Sequence, residues 1–325
     1  MNCTETNPRV NILIPTFNRA IFLKQAIDSA LNQDYSNLEV IVSDNASSDN
    51  TQDIIDKYLG IPNFKYFRNE TNVGMVANWR KLLYDYCTGD WAIILSDDDY
   101  FIYNSYISEA IKLIQKDKSI LMVYACGYVS DLTDNKFLKL ELPYEEINDG
   151  KVIFLNRDLL LKPPDFTLCN VLFNVNIAKQ LKAFSNLNNI CCDSELFLNI
   201  CLCGSIGVVK KYVTVYRYHS GNLILKERTP DELIAMFDMY INPYHLALNM
   251  KCFQHYDLTK WKDRVLKNLF KYAIKQLIFF NRKSLASTFN IMCSICNYNA
   301  IYIIIIFISD PLVWKKLFLY FKNQL

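Results

Sequence analysis

Short apolar runs alternate with helical stripes through the first hundred residues. Val10-Asn11-Ile12-Leu13-Ile14 is β-rich and stops at Pro15. Leu23, Ala26, Ile27, Ala30 and Leu31 then recur at the spacing of one helix face. Leu38 to Val42 reads as a second strand, and Ile54, Ile55, Tyr58 and Leu59 mark a second helix, with Asp49 or Asn50 as its N-cap. Phe64 to Arg68 is a third strand and Met75 to Tyr86 a third helix, with a polar turn between them from Asn69 to Gly74. Trp91 to Leu95 is a fourth strand and runs straight into Asp97-Asp98-Asp99. Four strand–helix units with short connections predict a parallel sheet covered by helices.

In such a sheet, ligands sit at the carboxyl ends of the strands. Polar clusters follow all four ends: Thr16–Arg19, Asp44–Asn45, Arg68–Asn72 and Asp97–Asp99. The topology therefore predicts that they meet along one edge. Three adjacent carboxylates repel one another. A divalent cation holding a diphosphate explains them there, and so, more plainly, does a solvated acidic turn. Neither a GxGxxG turn nor a P-loop is present.

The wording of these stretches resembles glycosyltransferase family 2. The resemblance rests on Asn11-Ile12-Leu13-Ile14-Pro15-Thr16-Phe17-Asn18-Arg19, Val42-Ser43-Asp44-Asn45-Ala46-Ser47-Ser48-Asp49-Asn50-Thr51, Asn72-Val73-Gly74 and Ser96-Asp97-Asp98-Asp99, in that order over about residues 8–130. It is similar to the abequosyltransferase-like branch of bacterial surface-polysaccharide enzymes. It implies a GT-A fold, an α/β architecture with a Rossmann-like, mostly parallel sheet, and inverting transfer of a sugar from a nucleoside diphosphate with Mn²⁺ or Mg²⁺. The implied donor residues are Pro15, Thr16, Phe17, Asn18, Arg19, Asp44, Asn45, Asn72, Gly74, Asn78, Asp97 and Asp98. Asp44 is expected to read the base, while Asp99, with Asp97, is expected at the metal. A third reading, nucleotidyl transfer, explains the acids but leaves Thr16–Arg19 without a role.

Farther along, Asn104 to Lys116 reads as a helix and Leu121 to Tyr128 as a strand. Asp131 to Asp149 reads as an irregular segment able to fold over the site, and Lys151–Leu161 and Thr167–Asn174 as sheet extensions. Cys191-Cys192-Asp193-Ser194-Glu195 falls where the family carries a Glu-Asp pair. The resemblance implies that Asp193 is the general base. Glu195 is the alternative base, and an N-cap role for Asp193 is compatible with either. Cys192 stands in place of the Glu, which keeps open a non-catalytic nucleotide-binding or scaffolding relative. Arg217 and His219, in Tyr216-Arg217-Tyr218-His219, resemble the element that ends the catalytic domain, Arg217 at the donor phosphates and His219 at the metal. The catalytic domain is expected over 8–222 and a helical region over 223–325.

Composition adds location and partners. At 51% hydrophobic and 21% charged, the chain can bury a sizeable core. The polar N-terminus and eleven cysteines are those of a cytoplasmic protein with reduced thiols, and Cys191, Cys192, Cys201 and Cys203 lack the spacing of a zinc site. The net charge of +2 conceals an acidic body followed by a basic stretch from Lys260 to Lys283. Leu266, Leu269, Phe270, Ala273, Leu277 and Phe280 make one helix face, with lysines beside it. An anionic surface, the inner face of a bacterial plasma membrane, suits that stretch, and so does packing against the body or a homodimer contact. Ile301–Ile308 is too short to span a bilayer, while Trp314, Leu317, Phe318 and Phe321 suit an interfacial or dimer helix. The acidic body argues against nucleic acid. The acceptor implied is a lipid-linked glycan or an oligosaccharide.

Overall fold

In the computed structural model, all four early apolar runs form strands. The structure describes residues 7–156, 168–222, 228–280, 291, 292 and 294. Strands β1 (Val10–Thr16), β2 (Leu38–Asp44), β3 (Phe64–Arg68) and β4 (Trp91–Ile94) run parallel in the order β3-β2-β1-β4. Helices α1 (Ala20–Leu31), α2 (Thr51–Ile55) and α3 (Met75–Lys81) connect them, and α3 passes into a π turn over Leu82–Tyr86. β1 and β2 are covered on both faces, which is why they read as unbroken apolar runs rather than alternating ones.

The second half extends this sheet. β5 (Tyr100–Phe101), α4 (Tyr106–Lys116) and β6 (Ile120–Asp131) follow β4. β7 (Lys136–Leu140), β8 (Ile147–Asp149), α5 (Gly150–Asn156), β9 (Val171–Asn174), α6 (Val175–Gln180), α7 (Cys192–Cys203) and β10 (Ser205–Tyr218) come next. Antiparallel β9 links β4 to β6, and β6 runs parallel to β10. α8 (Pro230–Ala235), α9 (Asp238–Met250) and α10 (His255–Phe280) follow.

Two expectations change. The stretch 131–149 contains β7 and β8, antiparallel additions to β6 and β10. Lys136 to Lys139 are all exposed, so this edge strand carries no alternation of burial to announce it. Residues 150–156 form a helix, not a sheet extension. Ile153 and Phe154 face inward while Val152 is exposed, and four successive apolar residues do not distinguish the two. Gly150 permits the approach to α7: a Cβ there would lie 2.3 Å from the carbonyl oxygens of Cys201 and Gly204. The part of the other expected extension that is described, from Leu168, is a short 3₁₀ turn and β9.

One core lies under α1, α2 and α4. The other holds α3, α5, α7 and the described part of the C-terminal helices, with Leu196, Phe197, Phe237, Trp261 and Phe270 buried together. The described C-terminal helices therefore share a core with α7. Residues 301–308 and 314–321, and the side chains of Leu277 and Phe280, lie outside what is described. Among the described residues, no helix is long and apolar enough to cross a membrane, and the cysteines are free thiols.

Candidate functional site

Register brings the polar clusters level. Thr16 pairs with Asp44 across β1 and β2, and Asp44 pairs with Arg68 across β2 and β3. Pro15 lies one step inside, opposite Ser43. Beyond β1, Asn18 takes a left-handed φ of 53°, a conformation that asparagine tolerates. Its amide donates to Ser47 Oγ at 2.9 Å, and its Oδ1 accepts the Ser48 amide at 2.7 Å. The loop after β1 is thereby tied to the loop after β2. Phe17 is exposed at this rim, and its amide donates to Asp97 Oδ2 at 3.3 Å.

Asp44 is fully buried and fully engaged. Its Oδ1 accepts the Ser47 amide at 2.8 Å, and its Oδ2 accepts Tyr66 Oη at 2.9 Å and Arg68 Nη1. Beside it lies a buried amide network. Asn69 Nδ2 donates to Asn45 Oδ1 at 3.1 Å and to Asn78 Oδ1 at 3.0 Å. Asn45 Nδ2 donates to Asn72 Oδ1 at 2.8 Å and to the Gly74 carbonyl at 3.2 Å. Asn78 also accepts Ser43 Oγ at 2.6 Å and donates to the Ser43 carbonyl. Asn45, Asn72, Gly74 and Asn78 thus hold the turn after β3 against β2. Gly74, at φ 89°, is where the chain needs a glycine.

All three acids after β4 are buried, at 2–3% exposure. Burial pushes Asp97 up, to about 6, against the pull of Arg19. Burial, then neighbouring Asp98, holds Asp99 well above the usual carboxylate range. Arg19 Nη1 donates to Asp97 Oδ1 at 3.0 Å and to Asp98 Oδ2 at 2.7 Å. Burial works against the Arg19 charge, but these carboxylates outweigh it and its pKa is raised. The Thr16 hydroxyl is buried beside Asp97 yet makes no hydrogen bond of good geometry.

β10 returns to the same place. The Arg217 amide donates to Asp99 Oδ1 at 3.0 Å, and its guanidinium to the Asp98 carbonyl at 2.6 Å and to Gln25. The guanidinium lies 4.3 Å from the Tyr100 ring centre and 5.0 Å from that of Phe22. His219 Nε2 lies 3.1 Å from Asp98 Oδ2. His219 thus meets Asp98, whereas the expectation placed it with Asp97 and Asp99. Asp97 serves Arg19 and the Phe17 amide, and Asp99 serves the Arg217 backbone.

Among the described residues, no group of three or more His, Cys, Asp or Glu side chains is disposed to hold an ion alone. Mg²⁺ is usually held by one or two carboxylates together with substrate phosphates, and Asp98, with His219 Nε2 at 3.1 Å, offers one such carboxylate. Two further buried carboxylates, Asp97 and Asp99, lie beside it.

Asp193 opens α7, and its Oδ1 accepts the Ser194 amide at 2.7 Å. Burial raises its pKa. Glu195 is committed elsewhere: Oε2 accepts Asn189 at 2.7 Å and Oε1 accepts Asn242 at 2.9 Å, joining the start of α7 to α9. Cys192 is buried in the core. Burial, followed by nearby negative charge with Asp99 foremost, pushes the Tyr216 hydroxyl up strongly. Tyr66 was missed as a site residue; it lies inside β3, and its partner Asp44 lies on β2. Arg68 and Asn69 belong to the cluster expected at the end of β3, and their partners lie on β2, just after it and on α3.

The sequence model described as "Glycosyl transferase family 2" matches residues 11–182. The chain is 38% identical over 94 residues to a GalNAc(5)-diNAcBac-PP-undecaprenol beta-1,3-glucosyltransferase of Campylobacter jejuni, 28% of this chain and 30% of that protein. It is 23% identical over 191 residues to the poly(ribitol-phosphate) beta-N-acetylglucosaminyltransferase TarS of Staphylococcus aureus, 56% of this chain and 33% of that protein. These matches span about a third of the relatives' own length. In fold, the chain resembles TarS residues 1–349 solved with UDP-GlcNAc, with a TM-score of 0.60 and 14% identity over 90% of this chain and 93% of that one. A mannosyltransferase of Pyrobaculum calidifontis solved with GDP-Man and Mn²⁺ gives a TM-score of 0.52 and 16% identity over 90% and 76%. The fold is thus that of the GT-A glycosyltransferases.

Proposed function

The chain belongs to glycosyl transferase family 2, and from that premise we propose that it moves a sugar from a nucleoside-diphosphate donor to a hydroxyl of a lipid-linked or oligosaccharide acceptor. The transfer inverts the anomeric centre and serves bacterial surface-polysaccharide assembly. The observation that carries the reading is the meeting of Thr16–Arg19, Asp44–Asn45, Asp97–Asp99, Arg217 and His219 at one sheet edge. The nucleotide sugars in the two solved relatives, UDP-GlcNAc and GDP-Man, are of the proposed donor class, and the second was solved with Mn²⁺.

The loop after β1 and the turn after β3 flank the nucleoside, while Asp44, buried and bonded by Ser47, Tyr66 and Arg68, braces the floor between them and does not itself reach the base. Arg19 offers a guanidinium fork suited to phosphate oxygens. Arg217, gripped by Asp98 and Asp99, holds β10 and the 219–222 turn against the acids. A divalent cation, Mn²⁺ or Mg²⁺, held by Asp98 and His219, would supply charge to offset that growing on the departing diphosphate. Asp193 takes the proton of the acceptor hydroxyl as its oxygen attacks. Burial suits it to this task by raising its basicity. Residues 8–222 carry this chemistry. The described C-terminal helices pack on α7, and the basic side of α10 meets an anionic membrane surface where a lipid-linked acceptor resides.

The test is release of free nucleoside diphosphate from a panel of nucleotide sugars, with and without lipid-linked acceptor. Release with at least one donor is expected, lost in Asp193→Asn while nucleotide binding persists. Binding by calorimetry with no release from any donor would favour the non-catalytic relative.

A further inference from the structure

We propose that Arg19 is a resident counter-cation that closes the acidic cluster until a divalent ion and the donor diphosphate enter together. The proposal rests on the metal reading given above. Arg19 Nη1 and His219 Nε2 converge on the same oxygen, Asp98 Oδ2, at 2.7 and 3.1 Å. The two atoms proposed to face an ion are therefore satisfied by the chain itself. Arg19 Nη2 also donates to the Gly221 carbonyl at 3.3 Å, so one guanidinium fastens the acids to the 219–222 turn.

That turn holds His219 in the wrong tautomer for an ion. The Gly221 amide donates to His219 Nδ1 at 3.1 Å. A backbone N–H can only donate, so Nδ1 accepts and the ring proton sits on Nε2, aimed at Asp98. A histidine that binds metal through Nε2 carries its proton on Nδ1 and donates it onward. Ion entry thus requires Arg19 to leave Asp98 and the Gly221–His219 contact to break.

Two ligands alone are a weak incentive for both changes. A diphosphate alters the balance. It brings further oxygen ligands for the ion and gives Arg19 a new bidentate partner. Ion and diphosphate each remove an obstacle to the other, and such coupling is reciprocal. Arg19 is placed for this exchange: it precedes α1, and its side chain is 27% exposed while those of Asp97 and Asp98 are 4% exposed.

The experiment is Mn²⁺ binding to the full chain, read from the spin-resonance signal of free Mn²⁺, with and without uridine or guanosine diphosphate. Wild type is expected to bind Mn²⁺ weakly alone and more tightly with a diphosphate. Arg19→Gln and Arg19→Met, two charge-free variants, should bind Mn²⁺ alone about tenfold tighter, as expected for removing a like charge a few ångströms away in a partly buried site. Their gain from diphosphate should shrink, and Arg19→Lys, which keeps the charge but not the fork, should bind Mn²⁺ alone as weakly as wild type. If Asp98→Asn abolishes binding while both charge-free variants match wild type, this proposal fails and the metal reading stands. If wild type binds no Mn²⁺ even with diphosphate, both fail.

Discussion

Asp193 shows how one side chain can be tuned against the stability of its own fold. Its ionised form is disfavoured by burial, so its pKa is raised. As a base it must be ionised, and kcat/KM should fall as pH drops through a value above the ordinary carboxylate range. Asp193→Asn should lower turnover by roughly 10²–10⁴-fold, the usual worth of a general base. An acid limb that persists unchanged in that variant's residual activity would count against the assignment. Linkage gives a second, independent readout. A carboxylate with a raised folded pKa contributes stability that is present below its unfolded pKa and lost as pH rises through the folded one. Asp193→Asn should therefore melt above wild type at pH 7, with the difference shrinking as pH falls. Asp98 makes a simpler prediction. With a nucleoside diphosphate present, Mn²⁺ should raise the melting temperature of wild type and not that of Asp98→Asn.

At the scale of elements, the site is held by polar side chains that bridge neighbouring strands and helices. Asn78, at 2% exposure, sits on α3 and bonds Ser43 on β2 and Asn69 after β3. Truncating it strands buried donors and acceptors. Asn78→Ala should cost about 1–3 kcal/mol in chemical denaturation, the price of an unsatisfied buried polar group. It should also weaken nucleotide binding, because the turn from Asn69 to Gly74 loses its anchor. A variant that loses stability but binds nucleotide as wild type does would separate this network from the donor pocket. Glu195 does the corresponding work between α7 and α9.

For the whole molecule, the question is how the C-terminal helices relate to the catalytic sheet. Trp261 on α10 stacks on Phe154 of α5, 4.2 Å between ring centres, within the core that also holds Phe197 of α7. Trp261→Ala should cost about 3–5 kcal/mol, as large-to-small changes in packed cores do. It should lower a single melting transition shared with the catalytic sheet. Two separate transitions, only one of them shifted, would show that the regions fold independently. The basic side of α10 carries the membrane proposal. Flotation with vesicles containing anionic lipid, absent with neutral vesicles and reduced by salt, is expected.

Much of this protein is legible in the order of its residues because parallel α/β units are local. Each strand is a short apolar run, each helix a 3.6-residue stripe, and topology alone puts Thr16, Asp44, Arg68 and Asp97 on one edge. The wording at those ends was enough for the family. β7 and α5 were misread because an exposed edge strand has no buried face to print a pattern, and a short apolar run fits a strand and a helix equally well. Partner choice was decided only by tertiary structure. Which of three consecutive aspartates meets His219, and which of Asp193 and Glu195 is tied to α9, depends on β10 and α9 arriving from more than a hundred and about fifty residues away. Strand spacing and helix period are short-range properties of the chain. The pairing of buried charges is settled by whichever distant groups reach them.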